Sequence, residues 1–293
     1  MKGIVLAGGT GSRLWPSTKS VSKQLLPIYD KPMIYYPVCT LIDAGIDDFL
    51  FITSPGDLSA FQNLLGDGSH LGLSFRYEVQ PSPEGLAQAF TIGREFLNGD
   101  SAALILGDNI FHGSNIGEQM RRSFIRNQGC QIFTYRVANP SDYGVVNLDK
   151  TNKPIDIIEK PVHPESNLAI TGVYYFNNKV SDLAENLRPS PRGELEITDL
   201  INHYLIEESL EVNHLPDGTA WLDSGTHASL HDASIYIKVI EDRTGRKIGS
   251  IEESAWRQGK ISSDKLLELA SSFGKSTYGQ YLKSLLENRE TRN

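Results

Sequence analysis

A short apolar strand that runs straight into a glycine cluster limits what this chain can become. Residues 3–7 read GIVLA, and Gly8, Gly9 and Gly11 follow at once. An unbroken, β-branched run of this kind fits a strand covered on both faces, as in a parallel sheet. Glycines let the backbone approach oxygen atoms closely and aim successive N–H groups at them. Arg13 closes the loop with a planar, permanently charged donor fork that suits phosphate. Two familiar phosphate loops are excluded. A dinucleotide-binding GxGxxG starting at Gly9 needs glycine at position 14, where Leu14 stands. A P-loop starting at Gly8 needs glycine at position 13, where Arg13 stands.

The rest of the chain supplies the sheet that such a loop requires. Asp30-Lys31-Pro32 opens a helical pattern that ends near Gly45, with Pro37 inside it. Strand patterns at 48–53, 74–79 and 102–106 alternate with helical ones at 58–65 and 85–97. Beyond residue 131 come strand-like runs at 132–137, 144–148, 155–159 and 169–176, then helical stretches at 180–187 and 197–208. Helices dominate from about 229 to 286. This order predicts an α/β protein: a Rossmann-like open, mixed, mainly parallel sheet flanked by helices, with a helical C-terminal appendage. The expected division is an α/β domain over 1–228 and a helical region over 229–293, with the boundary placed loosely near 225–245.

Charge narrows the class of ligand. The chain carries 28 Lys and Arg against 36 Asp and Glu, a net charge of −8. No basic stripe rises above that background, so the electrostatic footprint of nucleic-acid binding is missing. A nucleotide still fits where a few cations and backbone N–H groups gather in one pocket. Cys39 and Cys130 match no zinc-ligand spacing. The first apolar run is too short for a signal peptide or membrane span, so a cytoplasmic protein without a membrane partner is expected.

The segment LAGGTGSRLWPST, followed by SKQLLPIYDKPMIYYP, resembles the N-terminal signature of the sugar nucleotidylyltransferase family. Gly8, Gly9, Gly11, Arg13, Leu14, Pro16, Thr18, Lys23 and Pro27 fall on its pattern of a GG-x-G-x-R-L loop, a P-x-T and a K-x-L-x-P-I. The likeness continues in order through QPSPEGLAQAF, LGDNIF, YGVV, EKP, TGVYYF, SPRGELEITD and AWLDSGTH, about the first 230 residues. Ser22-Lys23-Gln24 and residues 80–89 are similar to the members that use dTTP and glucose 1-phosphate. Trp15 departs from the pattern and has no evident role.

The resemblance implies attack by the phosphate oxygen of glucose 1-phosphate on the α-phosphorus of dTTP. The products are dTDP-glucose, the entry to dTDP-rhamnose and other deoxysugars, and pyrophosphate. Both reactants are anionic, so the protein must hold them in line and offset their repulsion. No protein nucleophile is required, and no GxSxG motif or Ser/His/Asp set is evident. By the resemblance, Arg13 and Lys23 hold the triphosphate, with Leu6, Gly8, Gly9, Gly11 and Gln24 around the nucleotide. Gln80 and Gly85 read the base; a carboxamide offers the donor and acceptor that a pyrimidine edge needs. Asp108 follows the strand at 102–106, whose end faces the ligand crevice of an open parallel sheet. A carboxylate beside a triphosphate is repulsive unless a cation lies between them. Asp108 and, by resemblance, Asp223 are therefore the expected Mg2+ ligands, since Mg2+ takes few carboxylates plus phosphate oxygens and water. Lys160 is implied to hold the sugar's phosphate and Glu159 its hydroxyls. Asn109, Tyr143, Gly144, Ile170, Tyr174 and Arg192 complete the sugar-phosphate side. The implied catalytic set is Arg13, Lys23, Asp108, Lys160 and Asp223. The C-terminal helices resemble the segment that joins family members into homotetramers. Gly113, Glu118, Glu253 and Arg257 fall on positions of a regulatory site there, from which Gly117 and Ser254 depart.

Taken alone, these residues leave plainer readings open. Asp108 also suits a turn before a helix, Asp223 a helix cap near Thr226, Lys23 a solvated surface and Gln80 a strand end. Glu159-Lys160 also suits a strand end before Pro161. His112 and His203 have no ligand spacing. Three other functions compete: transfer from UTP or ATP by the same machinery, a non-catalytic nucleotide-sugar sensor, and a dinucleotide-dependent dehydrogenase. Thymine and uracil differ by one methyl group, worth only about 1–3 kcal/mol in a pocket. A sensor need not keep Arg13, Asp108, Lys160 and Asp223 together, and Leu14 opposes the dehydrogenase.

Overall fold

The computed structural model describes residues 1–126 and 129–290. The first half comprises β1 (Lys2–Ala7), β2 (Pro27–Ile28), β3 (Lys31–Pro32), α1 (Tyr35–Asp43), β4 (Asp48–Thr53) and α2 (Leu58–Leu65). It continues with β5 (Ser74–Val79), α3 (Gln88–Ile92), α4 (Arg94–Leu97), β6 (Ala102–Leu106), β7 (Asn109–His112) and α5 (Ile116–Arg126). The second half comprises β8 (Cys130–Arg136), β9 (Gly144–Leu148), β10 (Pro154–Glu159), β11 (Leu168–Phe176), α6 (Val180–Glu185) and α7 (Ile197–Ile206). Then follow β12 (Leu210–His214), β13 (Ala220–Asp223), α8 (His227–Thr244), α9 (Ile251–Arg257), α10 (Ser263–Ser272) and α11 (Thr277–Glu290).

Nine strands form one open mixed sheet along the path β10-β9-β11-β6-β1-β4-β5, with β8 pairing β11 and β12. The segment β6-β1-β4-β5 is wholly parallel, and β11 adds to β6 in the antiparallel sense. Alternation along the strands divides the core into two layers. Val5, Phe49, Phe51, Ala103 and Ile105 pack with α1, α2, α5 and α9 on one face. Ile4, Leu6, Leu50, Ile52 and Leu104 pack with α3, α4, α6 and α7 on the other. Each fully buried aliphatic or aromatic side chain there contributes about 1.5–3 kcal/mol.

Two helices differ from expectation for local reasons. Lys31 and Pro32 pair with β2 as a short ribbon, so α1 starts only at Tyr35. Pro37 is its third residue, where a first-turn N–H has no intrahelical acceptor to lose. The segment over 85–97 is two short helices that meet at Gly93. A Cβ there would lie 3.1 Å from Ile4 Cδ1, so this turn sits directly on the sheet. Strands β7, β12 and β13 were not expected. Each has five residues or fewer, too short for periodicity to declare.

The C-terminal helices are anchored to the N-terminal ribbon. Ile28, Met33 and Tyr36 pack with Ala233 and Ile237 of α8. Buried Lys31 pairs with Glu241 at 2.9 Å, and Glu241 also accepts from Ile248 N at 2.9 Å. Among the described residues, no helix is long and apolar enough to cross a membrane.

Candidate active site

The site lies off the carboxyl ends of β1 and β6, which run parallel and adjacent, the usual ligand position in an open sheet. Gly107 N donates to Leu6 O at 2.9 Å and closes the two strand ends together. The backbone then turns through Gly9 and Gly11, at φ +97° and +58°, a region that residues with a Cβ rarely adopt. Thr18 Oγ1 donates to Gly11 O at 2.7 Å, and Leu14 is fully buried. The loop is thus pinned while Arg13 stays exposed, with no ion pair among the described residues.

Asp108 leads into a strand, not a helix. β7 pairs antiparallel with β13, and the register sets Asp223 opposite Asn109, one residue from Asp108. Thr226, not Asp223, caps α8, accepting from Ser229 N at 3.1 Å. Lys23 Nζ pairs with Asp108 Oδ2, and Asn109 Nδ2 donates to Oδ1 at 3.0 Å. Burial pushes the Asp108 carboxyl up, but the Lys23 charge and these hydrogen bonds outweigh it and hold it below the ordinary value. Asp223 shows the opposite balance. Burial and then the Asp108 charge raise it, against the pull of Lys23, Arg13 and Lys160. Two carboxylates, one buried and one half-buried and short of positive charge, fit a divalent cation. No group of three or more His, Cys, Asp or Glu suited to a metal occurs among the described residues.

A cleft of about 700 Å³ opens from this pair toward β9, β10 and β11. Leu6, Gly8, Arg13, Lys23, Gln24, Asp108, Asn109, Tyr143, Gly144, Glu159, Lys160, Ile170, Tyr174, Arg192 and Asp223 all line it. Lys160 follows β10 at φ +43°, and its N–H donates to Tyr143 O at 3.1 Å. Among the described residues its ammonium has one distant partner, Glu159 at 3.9 Å. Arg192 is more committed, with Glu194 at 3.0 Å, Glu159 at 3.6 Å and Glu196 at 3.7 Å. Burial and the Glu196 charge raise the Glu159 carboxyl, against the pull of Lys160 and Arg192. A Cβ on Gly144 would lie 3.3 Å from Glu159 Oε2, so the wall is backbone at that point.

Four expected nucleotide residues stand apart from the main cleft. Gly9 and Gln80 line an adjoining recess of about 390 Å³, which shares Lys23 with it. Gln80 Nε2 donates to Gln88 Oε1 at 2.7 Å, and its Oε1 lies against Gly8. Gly11 serves the loop turn. Gly85, at φ +112°, packs on backbone: a Cβ would meet Leu195 O at 2.4 Å. Sequence reasoning missed Trp221, Gly225, Glu196 and Thr198, which also line the cleft. Trp221 and Gly225 flank Asp223 in the segment AWLDSGTH, and Gly225 sits 3.0 Å from Arg13 Nη2 by its virtual Cβ. Their neighbourhood to a named carboxylate was the available signal.

Gly113, Glu118, Glu253 and Arg257 lie outside the cleft. Glu118 on α5 accepts from Arg122 at 2.9 Å, and Arg257 donates to Glu253 at 2.7 Å within α9. Helix α1 packs against both elements. The departures have packing reasons. A Cβ on Gly117 would lie 2.4 Å from Asp43 Cβ, and Ser254 Oγ reaches Cys39 Sγ at 3.5 Å.

Comparison with known proteins agrees with this geometry. Residues 2–238 match the nucleotidyl transferase family profile, a span that contains the whole cleft. The chain belongs to the nucleotidyl transferase family. This nucleotidyl transferase is 50% identical to the glucose-1-phosphate thymidylyltransferase of Neisseria meningitidis over 287 residues, 98% of this chain and 100% of the relative. It is 52% identical to that of Mycolicibacterium smegmatis over 287 residues, covering 98% and 99%. A crystal structure from Bacillus anthracis, described as a glucose-1-phosphate thymidylyltransferase with sucrose, superposes with a TM-score of 0.75. It is 41% identical, covering 80% of this nucleotidyl transferase and 94% of that chain. A UDP-glucose pyrophosphorylase complexed with UDP-glucose gives a TM-score of 0.72 at 25% identity, covering 81% and 98%.

Proposed function

We propose that this nucleotidyl transferase moves a thymidylyl group from dTTP to glucose 1-phosphate, yielding dTDP-glucose and pyrophosphate. The division of charge in one cleft carries the reading. Arg13 and Lys23 stand at the loop end, Lys160 and Arg192 at the far wall, and Asp223 feels Arg13, Lys23 and Lys160 at once. That layout suits two anionic reactants brought together in line. Relatives named for this activity match nearly the full chain, which supports dTTP and glucose 1-phosphate as the pair.

In this reading Arg13, Lys23 and the loop N–H groups bind the triphosphate, and Lys160 orients the sugar's phosphate oxygen toward the α-phosphorus. Gln80 presents its carboxamide to the base, with the Gly85 loop behind it. Glu159, Tyr143, Gly144 and Tyr174 receive the sugar. Asp108 and Asp223 hold Mg2+, which supplies charge neutralisation on the reacting phosphates. Helices α8 to α11 form an assembly region through which chains join as a homotetramer, a reading supported by exposed Ile235 and Val239 on α8 and Leu267 on α10. Gly113 and Glu118, with Glu253 and Arg257 of α9, form a regulatory site at the edge of that region.

Pyrophosphate release measured with glucose 1-phosphate and each of dTTP, UTP, ATP, CTP and GTP tests the assignment. The highest kcat/KM is expected with dTTP, and none without divalent cation. Preferred use of UTP or ATP overturns the thymidylyl assignment.

A further inference from the structure

Asn109 was expected to touch the sugar phosphate, yet its carboxamide is almost fully engaged inside the protein. The residue is 2% exposed. Its Oδ1 accepts from Gly172 N at 3.0 Å and from Trp221 Nε1 at 2.6 Å. Its Nδ2 donates to Asp108 Oδ1 at 3.0 Å. Two donors converge on one atom, so the orientation of the amide is fixed by its partners. Lys23 occupies the other oxygen of Asp108. Trp221 is itself held between Tyr143 and Tyr135, with ring centroids 5.1 and 5.9 Å away, and its ring lines the cleft.

We infer that the Trp221 indole N–H, acting through Asn109, is a positioning device that aims the Asp108 carboxylate at the divalent cation. Trp221 is a positioning residue in this sense, and the wall of the sugar side is mechanically tied to the metal side. The tie is short: one hydrogen bond from indole to amide and one from amide to carboxylate. Groups that orient a metal's ligands from behind set its affinity, and their loss typically costs about 10- to 100-fold. Gly172 still holds Asn109 when the indole bond is lost, which places the expected effect at the lower end. The inference rests on the assignment of Asp108 as a metal ligand made above.

Trp221→Phe removes the N–H and keeps a ring in the same packing. The Mg2+ concentration for half-maximal rate is expected to rise about tenfold. Mn2+ binding followed by electron paramagnetic resonance, with no turnover, is expected to weaken by a similar factor. An unchanged Mg2+ requirement and Mn2+ affinity, with only the KM for glucose 1-phosphate altered, overturns the inference and leaves Trp221 as sugar wall alone. If Trp221→Phe fails to fold, the native protein still decides. Its indole 15N–1H resonances number three, and Trp15→Phe and Trp256→Phe assign that of Trp221 by elimination. That resonance should shift on adding Mg2+ and dTTP without sugar phosphate, and a static resonance contradicts the tie. Wild-type protein that binds Mn2+ but transfers no thymidylyl group defeats the proposed function while leaving the tie testable.

Discussion

Lys160 and Arg192 show how two cations in one cleft differ in availability. Lys160 is half exposed, with its nearest carboxylate oxygen 3.9 Å away, while Arg192 is shared among Glu159, Glu194 and Glu196. A charge already neutralised by neighbours has less left for a substrate phosphate. Lys160 also stands at φ +43°, a backbone state that a non-glycine residue holds only where its surroundings impose it. Lys160→Met is therefore expected to lower kcat/KM for glucose 1-phosphate about 100- to 1000-fold, the usual cost of a lost positioned charge. Arg192→Met should cost less. Steady-state kinetics with glucose 1-phosphate varied decides this; the reverse order of severity contradicts the assignment. The sequence made Lys160 legible through the EKP triplet, but not its freedom. That depends on where Glu194 and Glu196 fall in space, more than thirty residues further along the chain.

At the scale of elements, the base side and the sugar side are joined by backbone. Leu195 N donates to Glu84 O at 2.7 Å, and Ala87 N donates to Leu195 O at 3.2 Å. The segment ahead of α7, which carries Arg192 and Glu196, is thereby bound to the loop after β5, which carries Gly85. Gly85 allows this contact, because its φ of +112° and the 2.4 Å approach of Leu195 O leave no room for a Cβ. Gly85→Ala should raise KM for dTTP and glucose 1-phosphate together and lower the melting temperature. A rise in the dTTP KM alone, with the sugar-phosphate KM unchanged, would show that Gly85 serves only the base. The loop motif around Gly85 was readable, whereas its partner was not. A pairing between irregular segments 110 residues apart leaves no periodic trace. The same holds for β7 and β13. Each has four residues, and only their pairing sets Asp223 beside Asp108.

At the scale of the whole molecule, the alternating order of strands and helices through residue 106 and the glycine loop at its start were enough for the fold and its crevice. The second half was less legible, since β12 pairs parallel to β8 only after a return through residues 177–209. What the assembled molecule adds is a cleft that gathers Arg13, Lys23, Lys160 and Arg192 with Asp108 and Asp223, a charge layout suited to two anionic reactants. Such a layout suits one direct displacement at phosphorus. The stereochemical course tests it. With dTTP carrying sulfur in place of one α-phosphate oxygen, 31P NMR of the dTDP-glucose formed should report inverted configuration at that phosphorus. Retention would require two successive displacements through a protein-bound nucleotidyl group, and would contradict the account.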